Sequence, residues 1–249
     1  MPRSPNLVWH ISINNINIIN FMNINERNKK VALSRWAKIH AQERNVVNKN
    51  SHKKHLKARL CGFLAGDGSI LVRKDNDEKM HYVLRFFPDH PSLIEPFTES
   101  LFELYSKRPI IKKDYANQGI ICYSKVVVED LLNTAKFGIL SWQVPFSLLK
   151  DKRTKIEWLR AFFDSEAYVG KNNIRVQTVN ERGIKEVQQL LAEFGIESKK
   201  YTYKPRNKNW KKVHILIIGS KDNQLKFLNT IGFNHQIKAS KLKDNAGVA

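Results

Sequence analysis

Cysteine, glycine, proline and acidic side chains are all scarce in this chain, and each shortage excludes something. Only two cysteines occur in 249 residues, Cys61 and Cys122, far apart and in apolar surroundings. Neither a disulfide framework nor a cysteine-based zinc site can be built from them, which suits a reducing, intracellular compartment. Eleven glycines and eight prolines, beside 42% hydrophobic and 10% aromatic residues, argue against a disordered basic tail and for a chain that buries a core. No apolar run approaches the roughly 20 residues that cross a bilayer, and the N-terminus lacks a secretory signal, so no membrane partner is expected. Acids number 23 against 43 Lys and Arg, a formal charge of +20. That excess puts polyanions first among partners and counts against an enzyme for acidic or neutral small ligands.

The charge is uneven: residues 1–58 carry +9, 59–150 carry +1 and 151–249 carry +10. A polyanion therefore feels the two ends more than the middle. Segment 6–28 is rich in Asn and Ile and reads either as low-complexity chain or as an organellar targeting peptide, the latter weakened by few Arg and Ser. Residues 27–45 place Leu33, Trp36, Ala37 and His40 at helical spacing, an appended basic helix that either packs on the scaffold or touches nucleic acid.

From Ser51 onward the chain reads as two copies of one unit. Ser124–Thr134 and Ser220–Thr230 are identical at five of eleven positions, 96 residues apart, and both begin Ser-Lys. Upstream, Leu60–Ser69 lies opposite Leu159–Tyr168 at an offset of 99. The coarse pattern in each copy is helix (52–66; 154–165), hairpin (69–87; 168–178), helix (92–105; 183–194), hairpin (109–124; 199–219) and helix (125–134; 221–230), with turns at 74–78, 171–173, 116–119 and 205–209. The expected division is a basic extension 1–50, a first repeat 51–144, a linker 145–153 and a second repeat 154–249.

In the first helix Gly62 and Gly66 share a face, as do Ala161 and Ser165 in the second, so two small stripes allow the helix backbones to approach closely. Asp67 and Glu166 then fall side by side at the C-terminal ends, where helix dipoles and mutual repulsion both oppose ionisation. A divalent cation resolves that conflict. Mg²⁺ takes one or two carboxylates, with water and phosphate oxygens completing its shell, which is what a phosphodiester nuclease needs.

Both helix segments, Leu60–Ser69 and Leu159–Tyr168, resemble the LAGLIDADG motif of the homing endonucleases in its two-motif, single-chain form, and the likeness extends over about residues 52–240. The resemblance implies an α+β fold: two pseudo-symmetric αββαββα repeats forming a saddle of antiparallel sheets over DNA. It implies a monomeric, Mg²⁺-dependent, site-specific double-strand DNA endonuclease of the intron-homing type leaving 3′ overhangs, with cations at two or three positions where Ca²⁺ or Mn²⁺ can substitute. Asp67, Glu166, Gly66 and Ser165 become the metal-holding set, and Lys125, Lys221 and Gln177 join the two acids as catalytic residues. Asp164 is read as structural. Phe87 stands where Gln177 has its counterpart in the first copy, which makes the half-sites chemically unequal. An RNA maturase acting on intron RNA, or a non-cleaving nucleic-acid-binding protein, would keep the basic surface without needing the two acids. No splicing-type termini are evident, so a free-standing protein of a prokaryotic cytoplasm or an organelle is expected.

Strand parity supplies the base-reading candidates. Ile174, Val176 and Thr178 alternate with Asn173, Arg175 and Gln177, so one face enters the core and the other offers hydrogen-bonding groups to a major groove. Arg73 and Arg85 are the first-copy candidates. The densest basic run, Lys199, Lys200, Lys204, Arg206, Lys208, Lys211 and Lys212 with Tyr201, Tyr203 and Trp210 interleaved, reads as a DNA-contacting hairpin. His52 and His55, though spaced for a metal, have no further ligands nearby and read as a helix start.

Overall fold

A computed structural model describes residues 13–114, 117–207 and 209–247 of the chain. The expected turn at 116–119 therefore lies partly, and Lys208 wholly, outside the described residues, as does the start of the Asn/Ile-rich segment. The chain divides into two compact units, residues 1–44 and 45–249. A long helix, α1 (Ile13–Lys49), spans more than the 27–45 read from the sequence. Within the first unit Trp36 stands 5.8 Å from His40, ring to ring, one helical turn apart.

The second unit repeats one order of elements. The first copy runs α2 (Lys54–Ala65), β1 (Gly68–Lys74), β2 (Met80–Phe86), α3 (Ile94–Tyr105), β3 (Ile110–Asp114), β4 (Asn117–Tyr123) and α4 (Lys125–Thr134). The second runs α5 (Lys152–Glu166), β5 (Ala167–Val169), β6 (Ile174–Thr178), α6 (Glu181–Ala192), β7 (Lys199–Tyr203), β8 (Val213–Ile218) and α7 (Lys221–Thr230). Each copy builds one antiparallel four-stranded sheet, in the orders β1-β2-β4-β3 and β5-β6-β8-β7. A final helix, α8 (Gln236–Ala246), was not anticipated: only Leu242 and Ala246 of it are buried, so it has no apolar periodicity to read.

Local chemistry explains the helix starts. Asp151 and Thr154 form a capping box at α5, the Asp151 carboxylate accepting from the Thr154 N–H at 2.9 Å. Ser124 accepts from Val127 N–H at 3.3 Å and Ser220 from Asn223 N–H at 3.2 Å, so the recurring Ser-Lys pair is in each copy an N-cap followed by the first helical residue.

The core lies between each sheet and its helices, and the copies meet through α2 and α5. Phe63, Phe86 and Phe97 interlock in the first copy, ring centroids 4.5–5.9 Å apart. Trp158 and Phe162 of the second pack with Trp142 from the connection before α5, and a Cβ on Gly183 would lie 2.5 Å from the Trp142 ring. At the α2–α5 crossing a Cβ on Gly62 would stand 2.4 Å from the Trp158 carbonyl oxygen, and one on Gly66 2.5 Å from Ser165 Cβ. Only hydrogen fits there, which is the physical content of the small stripes. Arg59 and Glu157 tie the same helices at 2.7 Å. Among the described residues no helix is long and apolar enough to cross a membrane.

Candidate active site at the helix ends

Where α2 and α5 end, Asp67 and Glu166 line one open cleft of about 620 Å³, together with Gly66, Gln177, Thr178, Ile139 and Trp142. The close helix crossing puts them there: a Cβ on Gly66 would reach within 3.2 Å of Glu166 Cγ. Burial pushes the Asp67 carboxyl up to about 6, with the charge of Asp89 adding to it. Burial, then the charge of Asp67, pushes Glu166 up to about 7. Lys238 acts on both acids in the opposite sense.

Sequence reading missed Lys238. Its ammonium donates to the main-chain carbonyls of Asp164 at 2.5 Å and Ser165 at 3.2 Å, and lies 3.3 Å from an Asp89 carboxylate oxygen. It comes from α8, whose start is anchored by Asp164: one carboxylate oxygen accepts both Asn234 N–H and His235 N–H at 2.9 Å. Across the boundary between copies, Gln236 N–H donates to Ser92 Oγ at 3.3 Å, and the His235 ring stands 4.6 Å from that of His90. A structural role for Asp164 is thus what its contacts describe, and burial pushes its own carboxyl up to about 6 against those donors. The available signal was a stretch, Asn234 to Lys238, that is polar apart from an exposed Ile237 and shows no hydrophobic pattern.

The remaining candidates divide. Gln177 lines the same cleft as the acids. Gly68 pairs with Phe86 and Ala167 with Val176, so Phe87 and Gln177 hold equivalent positions, and Phe87 offers the cleft no hydrogen-bonding side chain. Lys125 and Lys221 do not line the cleft. Lys125 lies 3.6 Å from Glu129 and 5.6 Å from the Tyr82 ring centre, while Lys221 reaches toward Gly247 at the end of α8.

Strand register sorts the base-reading candidates. Ser69 faces Arg85, Arg73 faces His81 and Tyr168 faces Arg175, which puts Arg73 and Arg85 on one side of the first sheet, opposite the buried Leu84 and Phe86. In the second sheet Arg175, Gln177, Lys199, Tyr201 and Tyr203 share a side across β6, β8 and β7. Arg175 stacks on Tyr168 at 5.2 Å. Arg85 and Arg175, at matching places in the two copies, each bury their Nε without a hydrogen-bond partner among the described residues. Asn173 lies in the turn just before β6, its carbonyl accepting from Gly170 N–H at 2.9 Å. Lys204, Arg206, Lys211 and Lys212 are exposed in the connection from β7 to β8. Lys200 is not with them: alternation turns it to the helix-covered side, where it pairs with Glu181 at 3.2 Å.

Among the described residues no group of three or more His, Cys, Asp or Glu converges. Two carboxylates with main-chain carbonyls beside them are nonetheless a hard-oxygen set of the kind Mg²⁺, Mn²⁺ and Ca²⁺ accept, provided water or phosphate completes the shell.

Residues 153–232 match the family profile of the LAGLIDADG-like domain. The match covers the second repeat, from the start of α5 to the end of α7. Over about three quarters of the chain the fold is shared with solved structures of the homing endonuclease I-DmoI. One, of mesophilic variants, has a TM-score of 0.59 at 19% identity, covering 72% of this chain and 95% of that one. Another, in complex with DNA and Mn, has a TM-score of 0.58 at 19% identity, covering 72% and 96%. Among curated proteins, a replication factor C small subunit of Thermococcus kodakarensis is 29% identical over 197 residues, 74% of this chain and 20% of that protein. A glutamine–fructose-6-phosphate aminotransferase of Methanocaldococcus jannaschii is 26% identical over 196 residues, 74% of this chain and 17% of that protein. The chain thus spans a fifth or less of the length of these curated relatives.

Proposed function

We propose that this chain is a site-specific, divalent-cation-dependent DNA endonuclease of the homing type, using Mg²⁺ and cutting both strands to leave 3′ overhangs. The observation that carries the reading is the acid pair, Asp67 and Glu166, in one cleft at the ends of two tightly crossed helices. Structures of I-DmoI in complex with DNA and Mn, and with DNA and Ca, support a DNA partner and a divalent ion for the same fold. So does the matched pair of buried, unpartnered Arg85 and Arg175 guanidinium nitrogens on sheet faces turned away from the core. A segment of similar length that recurs within proteins of unrelated names behaves as a self-contained module.

When bound, the cation supplies Lewis acidity at the phosphate and lowers the pKa of water at neutral pH. Asp67 and Glu166 hold it, with Gly66 and Ser165 presenting main-chain oxygens at the same helix ends. Gln177 donates or accepts a hydrogen bond at one half-site to orient water or phosphate, a role Phe87 cannot fill at the other. Arg73, Arg85, Asn173, Arg175, Lys199, Tyr201 and Tyr203 position and read the duplex, and Lys204, Arg206, Lys211 and Lys212 contact its backbone.

The test is cleavage of a randomised duplex library in Mg²⁺. Wild type is expected to cut a defined subset, and Asp67→Asn and Glu166→Gln to bind that subset while cleaving at least a hundredfold more slowly. Unchanged cleavage in both variants would remove the site. A non-cleaving DNA-binding protein is the second reading, favoured by Phe87 in place of a polar side chain. Binding without cleavage by wild type would decide for it.

A further inference from the structure

Lys238 is the most completely coordinated charged side chain near the cleft, and nothing in the proposed cleavage chemistry uses it. An ammonium has three N–H donors. Those of Lys238 meet three oxygens: the carbonyls of Asp164 and Ser165 at 2.5 and 3.2 Å and an Asp89 carboxylate oxygen at 3.3 Å. The carbonyls belong to the last turn of α5, whose partial negative charge attracts cations. The side chain is only 12% exposed, and its helix is pinned in place by Asp164 and by the Gln236 contact with Ser92. One of its three partners, the Ser165 carbonyl, is also one of the oxygens assigned above to the divalent ion.

We propose that Lys238 is a resident cation of the second half-site: it occupies the Ser165 carbonyl beside Glu166 and competes there with a divalent ion, so that the half-site of Asp67 and Gly66 fills first. The inference rests on the endonuclease reading only in taking the acid pair as a cation site. Two positive charges cannot share the same few oxygens at close range, because their repulsion is large where water is partly excluded. The ion must either displace the ammonium or bind without Ser165. The first half-site has a different history. Among the described residues no lysine or arginine donates to the main-chain oxygen of Gly66, and the Asp67 carbonyl is taken up by Phe87 N–H at 3.1 Å. The copies, related by sequence, therefore offer a cation unequal surroundings.

The experiment is a Mn²⁺ titration of the full-length, metal-free protein without DNA, with free Mn²⁺ counted by electron paramagnetic resonance. Wild type is expected to show one tighter and one weaker class of site. Lys238→Met, which keeps the side-chain length and removes the charge, should tighten the weaker class about tenfold, and Lys238→Arg should leave it weak. A second measurement needs no variant: the side-chain nitrogen resonance of Lys238 should move as Ca²⁺ fills the weaker site, while those of Lys241 and Lys243 on the same helix stay put. Equal Mn²⁺ affinity in wild type and Lys238→Met, or a Lys238 resonance unmoved by Ca²⁺ that does bind, overturns the proposal and leaves the endonuclease reading standing. Failure of every form to bind Mn²⁺ overturns both.

Discussion

Asp67 and Glu166 hold their protons to about pH 6 and about pH 7, whereas an unfolded chain releases them near pH 4. Between those limits the folded protein binds more protons than the unfolded one, so stability must fall as pH rises through that window. Each carboxyl contributes a loss on the order of 3 kcal/mol by pH 8, the shift of about two units converted at about 1.4 kcal/mol per unit. In chelator, the melting temperature of wild type is expected to drop by several degrees between pH 5 and pH 8 beyond any drop in Asp67→Asn/Glu166→Gln. Asp164, pushed up to about 6 by burial, leaves the double variant a smaller slope of the same sign. Saturating Mg²⁺ at pH 8 should restore the wild type and not the variant, because an ion that binds the ionised pair stabilises the folded state. Calorimetry at the two pH values checks both outcomes. Asp67 and Glu166 were legible as residues because each ends a recognisable motif. Lys238 was not, since a lysine among Asn234, His235 and Gln236 carries no pattern, and its role exists only through where α8 lies.

Among the elements, the pair α2 and α5 bears most on the site. A methyl group at Gly62 would meet the Trp158 carbonyl, a backbone atom that cannot rotate aside, so Gly62→Ala should cost about 1–3 kcal/mol in urea unfolding. Gly219→Ala, where the nearest atom would lie 3.8 Å away, serves as the near-neutral comparison. Small residues four apart are readable in a sequence, and so was this contact. The Ser-Lys repeat shows the opposite case. Its recurrence is plain in the sequence, but what recurs is a helix cap, with Lys125 and Lys221 set away from the cleft. Ser124→Ala and Ser220→Ala are therefore expected to cost about 1 kcal/mol each in the same unfolding measurement. Lys125→Met and Lys221→Met should keep cleavage within a few-fold of wild type in the library assay. Strand parity placed Arg175 and Gln177 correctly on one side, because alternation is a local rule. It could equally have set Lys200 apart, since that residue alternates with Lys199 and Tyr201; reading the basic run as a block concealed this.

For the whole molecule, a charge of +20 makes association with a polyanion strongly dependent on ionic strength. The affinity for duplex should fall with a log–log slope of several units in magnitude, measured by fluorescence anisotropy across a salt series. Replacing Lys204 or Lys211 with alanine should lower that slope by about one and weaken all duplexes alike, whereas Arg85→Ala or Arg175→Ala should relax the preference for particular base pairs. The closeness of α2 and α5 also bears on whether the halves can be exchanged. Glycine from one copy meets alanine and serine from the other, so the seam is complementary rather than self-complementary. Joining two second halves would set side chains against side chains at both levels and spread the axes, while two first halves would leave empty space where the Ala161 and Ser165 side chains now sit. A hybrid built by grafting a foreign half onto this one is thus constrained at four positions before any base contact is considered. Ancestry from a duplicated homodimer would have required the seam to lose its two-fold self-matching after fusion.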